Sequence, residues 1–208
     1  MKKGIIFDLD GTLWDSSDKV VPAWNIILKR NGQDLITVED MQGYMGKTIE
    51  MIGEIMLPKL SIEQRMRIMK ECCAEEVAYL KQEGGILYPK LEEVLEVLNK
   101  EYDLFIVSNC QDGYIECFLE YHKLNNYFKD IECSGRTGKN KGENIKLIIE
   151  RNKLEKSVYV GDTQGDLDAS DYVNVPFIYA KYGFGKVNRD VVSIDKIEEL
   201  LEKVEKIF

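Results

Sequence analysis

Gly4-Ile5-Ile6-Phe7-Asp8-Leu9-Asp10-Gly11-Thr12-Leu13 is the stretch that decides the fold. Residues 4–9 are short and apolar, with Gly11 close behind, so they read as a buried strand running into a turn. Residues 103–107, 157–160 and 176–179 repeat that texture, and 130–133 is a weaker copy. Near-continuous apolar runs, rather than alternating ones, indicate a sheet covered on both faces. Helical stripes fill the intervals: Leu91, Val94, Leu95 and Leu98, then Ile145, Ile148 and Ile149. A last stripe of Ile197, Leu200, Leu201 and Val204 is expected to enter through Ser193 as its N-cap. Strand alternating with helix predicts an α/β fold with a doubly wound, Rossmann-like parallel sheet.

Residues 14–85 break the alternation. They hold no convincing strand, but Val20, Trp24, Ile27 and Leu28 share one helical face. Thr37 with Asp40 and Ser61 with Gln64 have capping-box spacing. Ile62, Met66, Met69, Cys73, Val77 and Leu80 continue a long helix that stops at Gly84-Gly85. The expectation is a core of residues 1–13 and 86–208 carrying an all-helical cap at 14–85, large enough for a small core of its own.

The chain has 208 residues, 44% hydrophobic and 31% charged, a globular balance rather than a disordered or fibrous one. Its formal charge of −9 repels phosphate backbones, which argues against a nucleic-acid partner. An acidic chain can still bind a phosphorylated metabolite where a local cation inverts the field. No apolar run approaches the roughly 20 residues of a membrane helix, and Asp8 and Asp10 interrupt the first one too early for a signal peptide. Five cysteines without a C-x-x-C pair and a single histidine, His122, supply a zinc site poorly. Free thiols in a reducing compartment, and hence a cytoplasmic location, are expected.

Asp8 and Asp10 stand at the carboxyl end of the first strand, where an open α/β sheet has its ligand crevice. Gly161-Asp162-Thr163-Gln164-Gly165-Asp166 follows another apolar strand, and Ser108-Asn109 follows a third. Gly138-Lys139-Asn140-Lys141-Gly142 precedes the Ile145 helix. Each alone is ordinary turn or surface chemistry. Together they bring acids, a hydroxyl and a cation to the same end of one sheet.

In that order and context, D-x-D-G-T, S-N, a lysine and G-D-x-x-x-D resemble the haloacid dehalogenase superfamily. The likeness is to its phosphatase branch with a helical cap after the first strand, the branch of the phosphoglycolate phosphatases, and it spans essentially the whole chain. The resemblance implies Mg²⁺-dependent hydrolysis of a small phosphomonoester. Asp8 would be the nucleophile and Asp10 the acid, then the base. Asp8, Asp162 and the Asp10 carbonyl would hold Mg²⁺, supported by Asp166. Thr12, Ser108 and the amides of Leu9 and Asn109 would meet phosphate oxygens.

A lysine would neutralise those oxygens. Lys141 abuts the following helix and is preferred, with Lys139 the alternative. Like charges about 4 Å apart repel by about 4 kcal/mol at an effective dielectric of about 20, so the four acids call for a cation. Crowding should also raise the pKa of Asp10. Trp14 stands where such chains often have a smaller residue, and Tyr182-Gly183-Phe184-Gly185 reads as structural. In the cap, Gly43-Tyr44-Met45-Gly46-Lys47-Thr48 is a loop from which Lys47 could meet a second anionic group. Two rival readings are a phosphosugar mutase, whose cap histidine is Val20 here, and a non-catalytic phosphate-binding module, which usually loses an acid that this chain keeps.

Overall fold

The computed structural model describes residues 2–208; Met1 lies outside them. β1 (Lys3–Phe7) leads to a two-residue β2 (Trp14–Asp15) and four helices: α1 (Ser17–Arg30), α2 (Val38–Tyr44), α3 (Ile49–Met56) and α4 (Ile62–Glu83). Then come β3 (Ile86–Leu87), α5 (Leu91–Leu98), β4 (Asp103–Ser108), α6 (Tyr114–His122), β5 (Phe128–Cys133) and α7 (Ser134–Thr137). The chain continues through α8 (Lys141–Asn152), β6 (Lys156–Gly161), α9 (Gln164–Tyr172), β7 (Phe177–Ala180) and β8 (Ser193–Ile194). A 3₁₀ turn (Ile197–Glu199) precedes the last helix, α10 (Leu200–Ile207).

Six parallel strands form one sheet in the order β5-β4-β1-β6-β7-β8. Alternation along the central strands explains their apolar run. Ile5, Phe7, Leu104, Ile106, Val158 and Val160 face one buried layer with α5, α6 and α10. Ile6, Phe105, Val107 and Tyr159 face another, covered by Ile145, Ile148 and Leu167 of α8 and α9. Phe7 lies level with Ile106 of β4 and Val160 of β6, so Asp8 leaves β1 between the ends of its two neighbours.

The first strand ends two residues before its apolar run does. Asp8 makes the last ladder bond, N–H to the Val160 carbonyl at 2.8 Å. The Leu9 carbonyl then turns inward to accept from Thr12 and Leu13. Ser193 does not cap the C-terminal helix. It pairs with Tyr179 in β8, and helix begins only past Lys196.

The helical segment packs α1 along α4, burying Trp24, Ile27, Leu28, Ile68, Met69, Cys72 and Leu80. Both capping boxes form, Thr37 with Asp40 and Ser61 with Gln64. Its apolar interior is continuous with the β1–β4 face of the sheet rather than a separate core. β2 and β3 pair antiparallel, Trp14 with Leu87, so the chain leaves the sheet and returns to it side by side. Trp14 is fully buried against Tyr114, Phe118 and His122, which places the lone histidine in an aromatic cluster at that seam. All five cysteines are free and buried. No described helix is long and apolar enough to cross a membrane.

Candidate active site

Asp8 is 1% exposed, and Lys141 Nζ lies 2.9 Å from its Oδ1 as a buried ion pair. Neither Asp8 oxygen accepts a hydrogen bond of regular geometry. Burial, and then Asp166, hold its pKa well above the usual carboxylate range; Lys141 opposes them and Asp162 adds to the rise. One carboxylate oxygen each from Asp8, Asp162 and Asp166 lie within 4.8 Å of one another. An orphaned carboxylate in an oxygen-only cluster fits a hard divalent cation such as Mg²⁺.

The three acids are held differently. Asp162 is fully buried. Its Oδ2 accepts from the amides of Phe184 at 2.7 Å and Gly185 at 3.3 Å, while Oδ1 has only the Thr12 hydroxyl at 3.5 Å. Burial and the neighbouring Asp166 push its pKa up to about 7. Gly11 and Gly183 let two loops close on it. A Cβ at either would come within 2.3 Å of an Asp162 side-chain atom, and Gly11 has a φ of +80° besides.

Asp166 is saturated. Its Oδ1 accepts from Lys141 at 2.6 Å and Tyr159 at 3.3 Å, and its Oδ2 from the amides of Asp162 and Thr163 and the Thr163 hydroxyl. Those donors make it the holder of Lys141 and of the β6–α9 turn, with one oxygen still in the acidic cluster. Burial alone would lower the Lys141 pKa, but Asp166 and Asp8 outweigh it and keep the ammonium charged. Lys139 is exposed, two residues outside this network.

Asp10 stands apart from the cluster. Trp14 Nε1 at 2.9 Å, Tyr114 OH at 2.9 Å and Ser16 Oγ at 3.2 Å all donate to its Oδ1, and none of them reaches Oδ2. Its pKa is pushed up to about 6 by burial, against these three donors. Carboxylate crowding, expected from the sequence, is not the cause.

Asp8, Asp10, Ser108 and Asn109 line one cavity of about 40 Å³ together with Tyr114 and, from the helical segment, Lys47 and Glu76. Ser108 is buried there, while Thr12, also buried, directs its hydroxyl to Asp162 Oδ1. Asn109 bridges the segments, donating to the Gly46 carbonyl at 2.9 Å and accepting from Ser134. Lys47 Nζ donates to the Gly43 carbonyl at 2.6 Å. A wider cleft of about 650 Å³ shares Ile49, Asn109, Cys110 and Gln111 with the cavity. Tyr182-Gly183-Phe184-Gly185, read as structural, supplies two of the amides that fix Asp162.

The family model for haloacid dehalogenase-like hydrolases matches residues 5–180. A phosphoglycolate phosphatase from Aquifex aeolicus is 27% identical over 90% of this chain and 88% of its own length. Another, from Vibrio parahaemolyticus, is 26% identical over 97% of this chain and 96% of its own length. Among solved structures, a haloacid dehalogenase-like family hydrolase from Streptococcus pneumoniae superposes with a TM-score of 0.79 at 23% identity, covering 98% of each chain. The chain belongs to the haloacid dehalogenase-like hydrolases. It is a hydrolase of the phosphatase kind, similar to phosphoglycolate phosphatases.

Proposed function

We propose that this protein is a Mg²⁺-dependent phosphatase that hydrolyses a small phosphomonoester through an aspartyl-phosphate on Asp8. The observation that carries the reading is the state of Asp8: buried, paired with Lys141, without regular hydrogen bonds, and facing the cavity it shares with Asp10. The family membership and the curated relatives support the same chemistry. Residues 14–85 act as the cap over a core of residues 1–13 and 86–208.

An Asp8 oxygen attacks phosphorus, and the bond from phosphorus to the ester oxygen breaks. Asp10, protonated on Oδ2, gives that proton to the departing oxygen. The resulting carboxylate takes a proton from water, whose oxygen attacks phosphorus, releasing phosphate and restoring Asp8. Lys141 holds Asp8 in place and balances the incoming phosphoryl charge, while Ser108 and the amides of Leu9 and Asn109 receive its oxygens. Thr12 serves by fixing Asp162 and the turn. Asp8, Asp162 and the Asp10 carbonyl would hold Mg²⁺, which supplies charge neutralisation for the phosphoryl oxygens.

The test is phosphate release from p-nitrophenyl phosphate with Mg²⁺ and with chelator. Turnover should require the metal, and Asp8→Asn should abolish it while leaving the circular dichroism spectrum unchanged. Wild-type kcat in Asp8→Asn would eliminate the covalent route. Val20, at the position of the mutase histidine, is fully buried and offers no acid–base group.

A further inference from the structure

Glu76 lies on α4, 5% exposed, yet lines the cavity that holds Asp8 and Asp10. Trp24 Nε1 at 3.1 Å and Gln111 Nε2 at 2.8 Å both donate to its Oε2. One donor comes from α1 and the other from the loop after β4, so the carboxyl is fixed across the seam between cap and sheet. Among the described residues no hydrogen bond reaches Oε1, and no lysine or arginine pairs with Glu76. Lys47, on the same cavity, rests its ammonium on the Gly43 carbonyl at 2.6 Å. A buried carboxyl with one oxygen unfilled is costly unless something completes it. Packing alone would be served better by an apolar residue.

We infer that Glu76 reads the leaving group, selecting a small phosphomonoester that ends in a hydroxyl and rejecting one that ends in a carboxylate. This rests on the phosphatase reading above and names its substrate class. A hydroxyl both donates and accepts, so it completes Oε1 whether Glu76 is ionised or protonated. Burial, with a contribution from Asp10, pushes the Glu76 pKa up to about 8, so the carboxyl is mostly protonated near neutrality and becomes a pure acceptor once the pH passes that value. A substrate carboxylate finds a partner only in the protonated form, so it is rejected as Glu76 ionises, and it adds an anion to a space that already holds a phosphoryl group. Phosphoglycolate, named for the curated relatives, has such a carboxylate.

The test compares phosphoglycolate with 2-hydroxyethyl phosphate, which keeps the two-carbon skeleton and replaces the carboxylate by a hydroxymethyl group. Assayed at about pH 9, above the Glu76 pKa, wild type should favour 2-hydroxyethyl phosphate in kcat/KM by about tenfold or more, the loss expected when a buried polar group is left unpaired. In Glu76→Gln an amide N–H₂ faces the cavity, and that ratio should fall about fivefold or more. A wild type that prefers phosphoglycolate overturns the inference, and this needs no variant to fold. So does a ratio unchanged in folded Glu76→Gln, or release from p-nitrophenyl phosphate with neither two-carbon ester cleaved. Absence of Mg²⁺-dependent release from every ester would instead overturn the phosphatase reading itself, and this inference with it.

Discussion

The indole N–H of Trp14 donates to Asp10 Oδ1 at 2.9 Å, joining the first residue of the cap-side link to the proposed acid four residues earlier. With Tyr114 and Ser16 on the same oxygen, the carboxyl is clamped on one side only. Its other oxygen is left as the place where a proton can sit. The bulky residue at position 14 therefore has a chemical part besides packing.

Tyr114→Phe tests that clamp. The phenol donates to the ionised form and so lowers the Asp10 pKa; its loss should raise that pKa above about 6. The alkaline limb of kcat/KM, which reports loss of the acid's proton, should move up by about 0.5–1 pH unit. An unshifted limb in a folded variant would show that the three donors do not tune Asp10.

Asp10→Asn should lower kcat by about 10²–10⁴-fold, the worth of a positioned acid–base group. It should also stabilise the fold. The folded pKa of about 6 lies above the ordinary aspartate value of 3.8, so ionising Asp10 disfavours the folded state. That penalty is absent below pH about 4, grows between the two values, and is complete above pH about 6. Urea titrations in metal-free buffer should show the variant more stable by up to about 3 kcal/mol at pH 7 and equal to wild type near pH 4.

The parts legible in the sequence are those with local signatures. β1, β4 and β6 are buried on both faces and so read as apolar runs, and both capping boxes sit within four residues. What was hidden has no such signature. The donors that fix Asp162 are backbone amides of Phe184 and Gly185, and any residue type carries an amide. Tyr114 meets Asp10 across 104 positions. Glu76 follows Glu75 on a helix where both look solvated, and only the packing of α1 against α4 buries one of them. β2 and β3 are two residues each, too short to show a period.

Lys141 and Lys139 should separate sharply. Lys141→Ala leaves Asp8 and Asp166 buried without their shared cation, a change that costs about 3–5 kcal/mol when the charges remain. The loss should shrink as the pH falls and the freed Asp8, whose pKa burial already holds high, takes up a proton, and kcat/KM should collapse at any pH. Lys139→Ala, on the exposed side of the α8 N-terminus, should shift stability by no more than about 0.5 kcal/mol. Denaturant midpoints and steady-state kinetics on both variants decide; the reverse order would make Lys139 the neutralising lysine.

Lys47 is the remaining cap residue of interest. Its loop is tied to the sheet side by the bond from Asn109 to the Gly46 carbonyl, which brings the lysine to the cavity wall. Its ammonium rests on the Gly43 carbonyl, an exposed bond that substrate can replace at little net cost. With Glu76 facing the same space, the contact open to Lys47 is donation to an uncharged leaving-group oxygen rather than pairing with a second anion. Lys47→Ala should therefore lower kcat/KM for the best small aliphatic ester by about tenfold, one charged hydrogen bond's worth. The effect on p-nitrophenyl phosphate, whose leaving group has no hydroxyl and only the weakly accepting oxygens of a nitro group, should stay under about threefold, well short of one such bond. Steady-state kinetics on both esters gives the answer. Equal losses on the two would assign Lys47 to the loop's structure, and no loss on either would remove it from the site.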